Sequence, residues 1–123
     1  MRPWLVVLLL AAPCLAMAVG LGFLRNAPVR HFDREDMNLM MKNAGEVLDS
    51  TVPNASRDWS NPRTGNSGQA EVRDQFIGTD GAPCKRLRIS NKVKRGNVRS
   101  DATYTVCKYT GRGWLLHADA RPM

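Results

Sequence analysis

Residues 84 to 107 read CKRLRISNKVKRGNVRSDATYTVC, and this stretch decides the fold. Facing residues of an antiparallel pair have numbers of constant sum, so setting Cys84 opposite Cys107 centres the turn between Arg95 and Gly96. Glycine supplies there the positive φ that a tight hairpin requires. The same register sets Leu87 against Tyr104 and Ile89 against Ala102 on one face, while Arg86 faces Thr105 and Arg88 faces Thr103 on the other, with the cysteines. One face belongs to a core and the other is wetter. A Cys84–Cys107 bridge would close a loop of about 22 residues, worth roughly 3 kcal/mol in the chain-entropy model. Neither cysteine stands in a Cys-x-x-Cys motif, which favours a structural staple over a redox-active pair.

Upstream, Asp33 to Ser50 carries apolar residues at Met37, Met40, Met41, Ala44, Val47 and Leu48, the spacing of one helical face. Asp33 is the N-cap, Glu35 and Asp36 suit the positive end of the helix dipole, and Phe32 stands where a staple onto Met37 would form. Pro53 ends the helix. A methionine stripe can be an adaptable binding surface, but at this spacing it reads as core. From Trp59 onward, short strands alternate with turns. Asn61 to Gly68 is a long connection whose proline and two glycines fix unusual backbone angles. Ala70, Val72 and Phe76 then alternate, Asp80-Gly81 makes the next turn, and Gly111-Arg112-Gly113 precedes the alternation of Trp114, Leu116 and Ala118. The expected fold is α+β, one N-terminal amphipathic helix packed on a four- or five-stranded antiparallel meander with one disulfide.

The chain has 123 residues, 43% of them hydrophobic, and a net charge of +7, which allows one modest domain. No charge occurs from Pro3 to Leu24, and Trp4 to Ala12 reads WLVVLLLAA behind Arg2. This apolar run is shorter than the ~20 residues that span a bilayer, and Ala16-Met17-Ala18 offers a cleavage site. The expected organisation is a signal peptide over 1–18, a linker over 19–31 and a domain over 32–123. Two alternatives stand beside it: an uncleaved anchor reaching about Leu24, and lipidation at Cys14, against which Pro13 argues. Cleavage would leave two cysteines, an even number in an exported chain, which favours their pairing.

No catalytic constellation is present in the pattern. His31 and His117 do not form a metal-ligand spacing with each other or with the cysteines, and read as solvent-facing or rim residues. Asp33, Glu35 and Asp36 read as helix-start charges rather than an acid/base pair, and no phosphate-binding glycine loop or cofactor motif occurs. The one candidate binding feature is basic: Lys85, Arg86, Arg88, Lys92, Lys94, Arg95 and Arg99 fall within fifteen residues that contain no acid. Anionic lipid, lipopolysaccharide or wall polymer would suit this hairpin. The alternative is a solvated face whose charges discourage edge pairing. The absence of interleaved aromatics argues against nucleic acid.

With Trp59, Asn61, Pro62, Gly65 and Gly68 in the run WSNPRTGNSG, then Gly81-Ala82-Pro83-Cys84, Cys107 and Gly113-Trp114, the chain resembles the bacterial surface antigen family of rickettsial type over about Asp33 to Leu116. In that family a helix precedes a W-x-N-P-x-[ST]-G-x-[ST]-G segment, a glycine-x-proline-cysteine element, a second cysteine and a late tryptophan. The resemblance implies a domain of the envelope or outer membrane without known catalysis, and it supports pairing Cys84 with Cys107. Family members commonly carry a lipidated cysteine and a glycine zipper upstream; here Pro13 precedes Cys14 and only Gly20 and Gly22 match the zipper. Three roles follow as expectations: a structural or interaction component of the envelope, a module whose basic hairpin docks on anionic polymer or lipid, and a periplasmic enzyme inhibitor. Other envelope proteins are candidate partners for the first, and the N-terminal segment is a candidate membrane tether.

Overall fold

A computed structural model describes residues 31–117. The expected signal segment, the anchor alternative, Cys14, the linker before His31 and the tail after His117 lie outside the described residues. Helix α1 (Arg34–Asp49) is followed by β1 (Ser56–Ser60), β2 (Ser67–Ile77), β3 (Pro83–Val93), β4 (Val98–Tyr109) and β5 (Gly113–Leu116). The strands form one antiparallel sheet in chain order, so the α+β meander has five strands. None of the described helices is long and apolar enough to cross a membrane.

The helix begins at a capping box. The Asp33 carboxylate accepts from the Asp36 N–H at 2.9 Å, and the Asp36 carboxylate accepts in return from the Asp33 N–H at 3.0 Å. Met40, Met41, Ala44, Val47 and Leu48 are buried against Trp59, Ala70, Val72, Leu87, Ile89, Val106 and Trp114. The methionine stripe is therefore core. Phe32 packs edge-on to Trp59, with ring centroids 5.2 Å apart. The last helical turn has no basic residue of its own. Lys85 of β3 supplies the cation that suits this end, donating to the carbonyls of Leu48 at 2.7 Å and Ser50 at 3.1 Å.

The β3–β4 register places Cys84 opposite Cys107, Leu87 opposite Tyr104 and Arg88 opposite Thr103, as expected. The two cysteines are bonded and fully buried, and Gly96 has φ 78° in the turn. Three expectations from the sequence need correction. A bulge between Val72 and Asp74 shifts the register of β2, so Phe76 faces Cys84 rather than continuing the Ala70–Val72 row. There it packs with Tyr109 against the disulfide and Ala82, forming a second small core on the sheet's other face. Leu116 is exposed although Trp114 is buried, because α1 packs over β1, β2 and β3 and β5 is the opposite edge strand, from which the long Trp114 side chain reaches back to Asp49 at the end of the helix. Finally, Gly68 sits inside β2 opposite Trp59 and does not have a positive φ. What requires glycine there is space: a Cβ would lie 2.7 Å from the Ser90 carbonyl and 2.6 Å from Asn91 Oδ1.

At Gly65, with φ 79°, conformation decides, because the nearest atoms a Cβ would meet belong to the flexible side chain of Lys94, which can move aside. The two glycines should therefore respond unequally to substitution. Gly68→Ala is expected to lose about 2 to 3 kcal/mol through forced displacement of backbone, whereas Gly65→Asn should lose less than about 1 kcal/mol because asparagine tolerates the left-handed region. Urea unfolding of both variants measures this, and equal losses would contradict the steric account.

Candidate functional site

Asp36 precedes Met40 by one helical turn and Ala44 by two, so it lies on the stripe that faces the sheet. Its side chain is fully buried. One carboxylate oxygen accepts from Asn61 Nδ2 at 2.8 Å and Thr64 Oγ1 at 2.8 Å. The other accepts from Asn66 Nδ2 at 2.9 Å and from the Asp33 N–H. The 61–66 loop is thus folded around a helix carboxylate. It is braced from within as well. The Asn61 N–H donates to the Asn66 carbonyl at 2.9 Å, the Gly65 N–H to the Asn61 carbonyl at 2.7 Å, and the Arg63 N–H to Asn61 Oδ1 at 3.1 Å. Arg63 closes the rim, pairing with Asp33 and, at 2.8 Å, with Glu35.

The residues of the expected motif therefore divide in two. Trp59, Asn61, Gly65 and Gly68 surround or adjoin this clasp, with Pro62 exposed on the loop. Trp114 lies at the opposite end of α1, where its Nε1 donates to Asp49 at 3.0 Å. Asp36, Thr64 and Asn66 carry the clasp although they had no such role in the sequence reading. One signal was available for Asp36: a carboxylate on the apolar stripe of a helix requires buried donors. Asn43, also buried, donates to the Arg57 carbonyl at 2.7 Å and ties the edge strand β1 to the helix.

The basic run does not remain together. Lys85 points to the helix side, where burial lowers its pKa against the opposing pull of Asp49. Arg86 pairs with Asp74 at 2.7 Å and lies over the Phe76 ring. Arg88 forks onto Asp101, with Nε 3.0 Å from one oxygen. Lys92 and Arg99 face each other across the hairpin, and Lys94 and Arg95 lie exposed in its turn. Arg88, Lys92 and Arg99 line an open groove of about 770 Å³ on the sheet face turned away from α1. His31 is exposed and His117 half-buried. Among the described residues, no group of three or more His, Cys, Asp or Glu is placed to hold a metal ion.

A family model described as 17 kDa outer membrane surface antigen matches residues 46–114, more than half of the chain. The matched segment contains the loop that encloses Asp36 but not Asp36 itself. No curated protein and no solved structure matches the chain.

Removing the carboxylate should be costly, since Asp36→Ala would take an acceptor from three side-chain donors and one N–H, leaving Asn61 Nδ2 only Glu35 and Asn66 Nδ2 only a long contact to the His31 carbonyl. A loss of about 3 to 5 kcal/mol is expected in chemical unfolding; a loss under about 1 kcal/mol would show that the loop does not depend on it. Stability should also fall in acid. Asp33 is held below the ordinary aspartate pKa first by the Asp36 N–H and then by Arg63, and Asp101 is held low chiefly by Arg88. Groups depressed on folding stabilise fully above their unfolded pKa and lose that contribution as the pH falls through the folded values. The thermal midpoint should be level down to about pH 5 and drop below about pH 4, with a shallower drop in Asp33→Asn.

Proposed function

This chain belongs to the 17 kDa outer membrane surface antigen family, and from that membership we propose that it is a structural or interaction component of the cell envelope that catalyses no reaction. The observation that carries the proposal is the direction of the clasp's polar side chains. Asn61, Thr64 and Asn66 turn inward onto Asp36, so the residues of the most distinctive loop hold a helix to a sheet. An enzyme of this size would be expected to aim such groups into a cleft, where a substrate meets them. Here their hydrogen-bonding capacity is taken up by the protein itself. The Cys84–Cys107 bridge agrees with an exported chain, because disulfides persist in oxidising compartments. What the clasp preserves is the shape of a small domain, and a preserved shape serves contact with neighbours.

The test is intact mass with thiol alkylation on native protein from separated cytoplasmic, periplasmic and membrane fractions. The protein is expected in an envelope fraction with neither Cys84 nor Cys107 alkylated before reduction. A mass beginning at Val19 would place the domain free in the periplasm, and a retained or acylated N-terminus would make it a tethered component; both agree with the proposal. Recovery from the cytoplasm with both thiols alkylated would overturn it.

A further inference from the structure

The groove on the exposed sheet face has a definite construction. Pairing across four strands creates two outward rows, Asp58–Gln69–Ser90–Asp101 and Ser60–Ser67–Lys92–Arg99. Three of these eight positions carry short hydroxyl side chains, Ser60 on the edge strand and Ser67 and Ser90 on the two central strands, and they leave a low floor between the longer side chains that line the groove. The resulting space of about 770 Å³ is of the size that holds a small ligand.

One feature of this lining is unfavourable by itself. Lys92 and Arg99 are direct cross-strand partners, and like charges in that relation repel. The nearest acid along β4, Asp101, is engaged by Arg88 and so does not neutralise them. Among the described residues neither Lys92 nor Arg99 has an ion-pair partner. Asp58, two strands from Lys92 and one row removed, lies at the far margin. The groove therefore has a cationic end beside the hairpin turn and a hydroxyl- and amide-lined end beside β1.

We propose that the groove binds a phosphorylated sugar unit of an envelope glycan. The phosphate lies between Lys92 and Arg99, where it relieves their repulsion. The sugar ring lies over the serine floor, its hydroxyls bonding to Ser60, Ser67, Gln69 and the Asp58 carboxylate. Arginine suits this position because its planar fork can engage two phosphate oxygens. The glycan as source rests on the envelope assignment above, whereas the sugar-phosphate chemistry rests on the groove alone.

The full chain should be titrated with glucose 1-phosphate, glucose and inorganic phosphate, following backbone amides by NMR. Glucose 1-phosphate is expected to give saturable shifts at Ser67 to Gln69, Ser90 to Lys92 and Arg99 to Asp101, at least tenfold tighter than either fragment. Added salt should weaken it. Lys92→Gln with Arg99→Gln should reduce affinity roughly tenfold or more while the spectrum remains dispersed. Should that variant unfold, Ser90→Val, which fills the floor, is expected to cause a similar loss. A phosphorylated oligosaccharide should bind at least as tightly as the monosaccharide and lose that affinity after phosphatase treatment; weaker binding than the free sugar phosphate would overturn the glycan as source. Equal shifts with inorganic phosphate confined to residues 94–97, or unchanged affinity in the variants, would overturn the site. Either failure concerns the groove and leaves the fractionation result to judge the envelope role separately.

Discussion

The buried carboxylate of Asp36 is the constraint on which the rest of the arrangement depends. An ionisable group taken out of water is tolerated only where donors replace its hydration. Here four donors do so, from a loop 25 to 30 residues downstream and from the helix's own cap. The requirement acts in both directions. If the loop shifts, the carboxylate loses its donors; if the helix shifts, Asn61, Thr64 and Asn66 are left with unpaired groups in a closed interior. The helix therefore has one place on the sheet, and β1 and β2 meet it at one angle. The clasp fixes the N-terminal half of α1, while Lys85 and Trp114 fix its C-terminal end.

A second constraint works on the other face of the sheet. Among the described residues one α-helix covers the sheet, on one side only, and a domain of this size has little apolar area to bury. The bulge in β2 turns Phe76 over to join Tyr109 around the disulfide. The bridge and this small cluster reinforce each other, because the rings exclude water from sulfurs that would otherwise lie on an exposed face. Arg86 covers the ring from outside. The lower sheet is thus packed on both faces, whereas the upper part, toward the hairpin turn, is open and polar.

Much of this was legible in the sequence where local rules decide. The β3–β4 register followed from two cysteines and one glycine, because a hairpin of continuous pairing has a single free parameter. The capping residue Asp33 and the buried stripe followed from helical period. Phe76 departs from the alternation of Ala70 and Val72 because a bulge inserts one residue without a distinguishing side chain; Arg73 reads like any exposed strand position. Gly68 looked like a conformational glycine, yet its constraint is the approach of Asn91 and the Ser90 backbone from another strand, which no local pattern encodes. The helix-start role read for Asp36 holds, through the capping box, but is incomplete. The partners that define its second role are brought near only by the completed fold.

The division of the basic run has the same origin. Strand alternation sends Lys85 to the helix side and its even-numbered neighbours to the open side, where acids of adjacent strands take two of the arginines. The cations that remain are those near the turn, and the clasp reaches them. Asn66 donates through Nδ2 to Asp36 and accepts through Oδ1 from the Lys94 N–H at 3.0 Å. The stem of Lys94 also lies against Gly65. One asparagine thus joins the buried carboxylate to the end of the hairpin, one residue past the strand that carries Lys92. A hairpin tip of this length would ordinarily fray. Anchored at Lys94, it holds Lys92 and Arg99 opposite each other despite their repulsion, so the interaction that seats the helix also orders the cationic end of the groove.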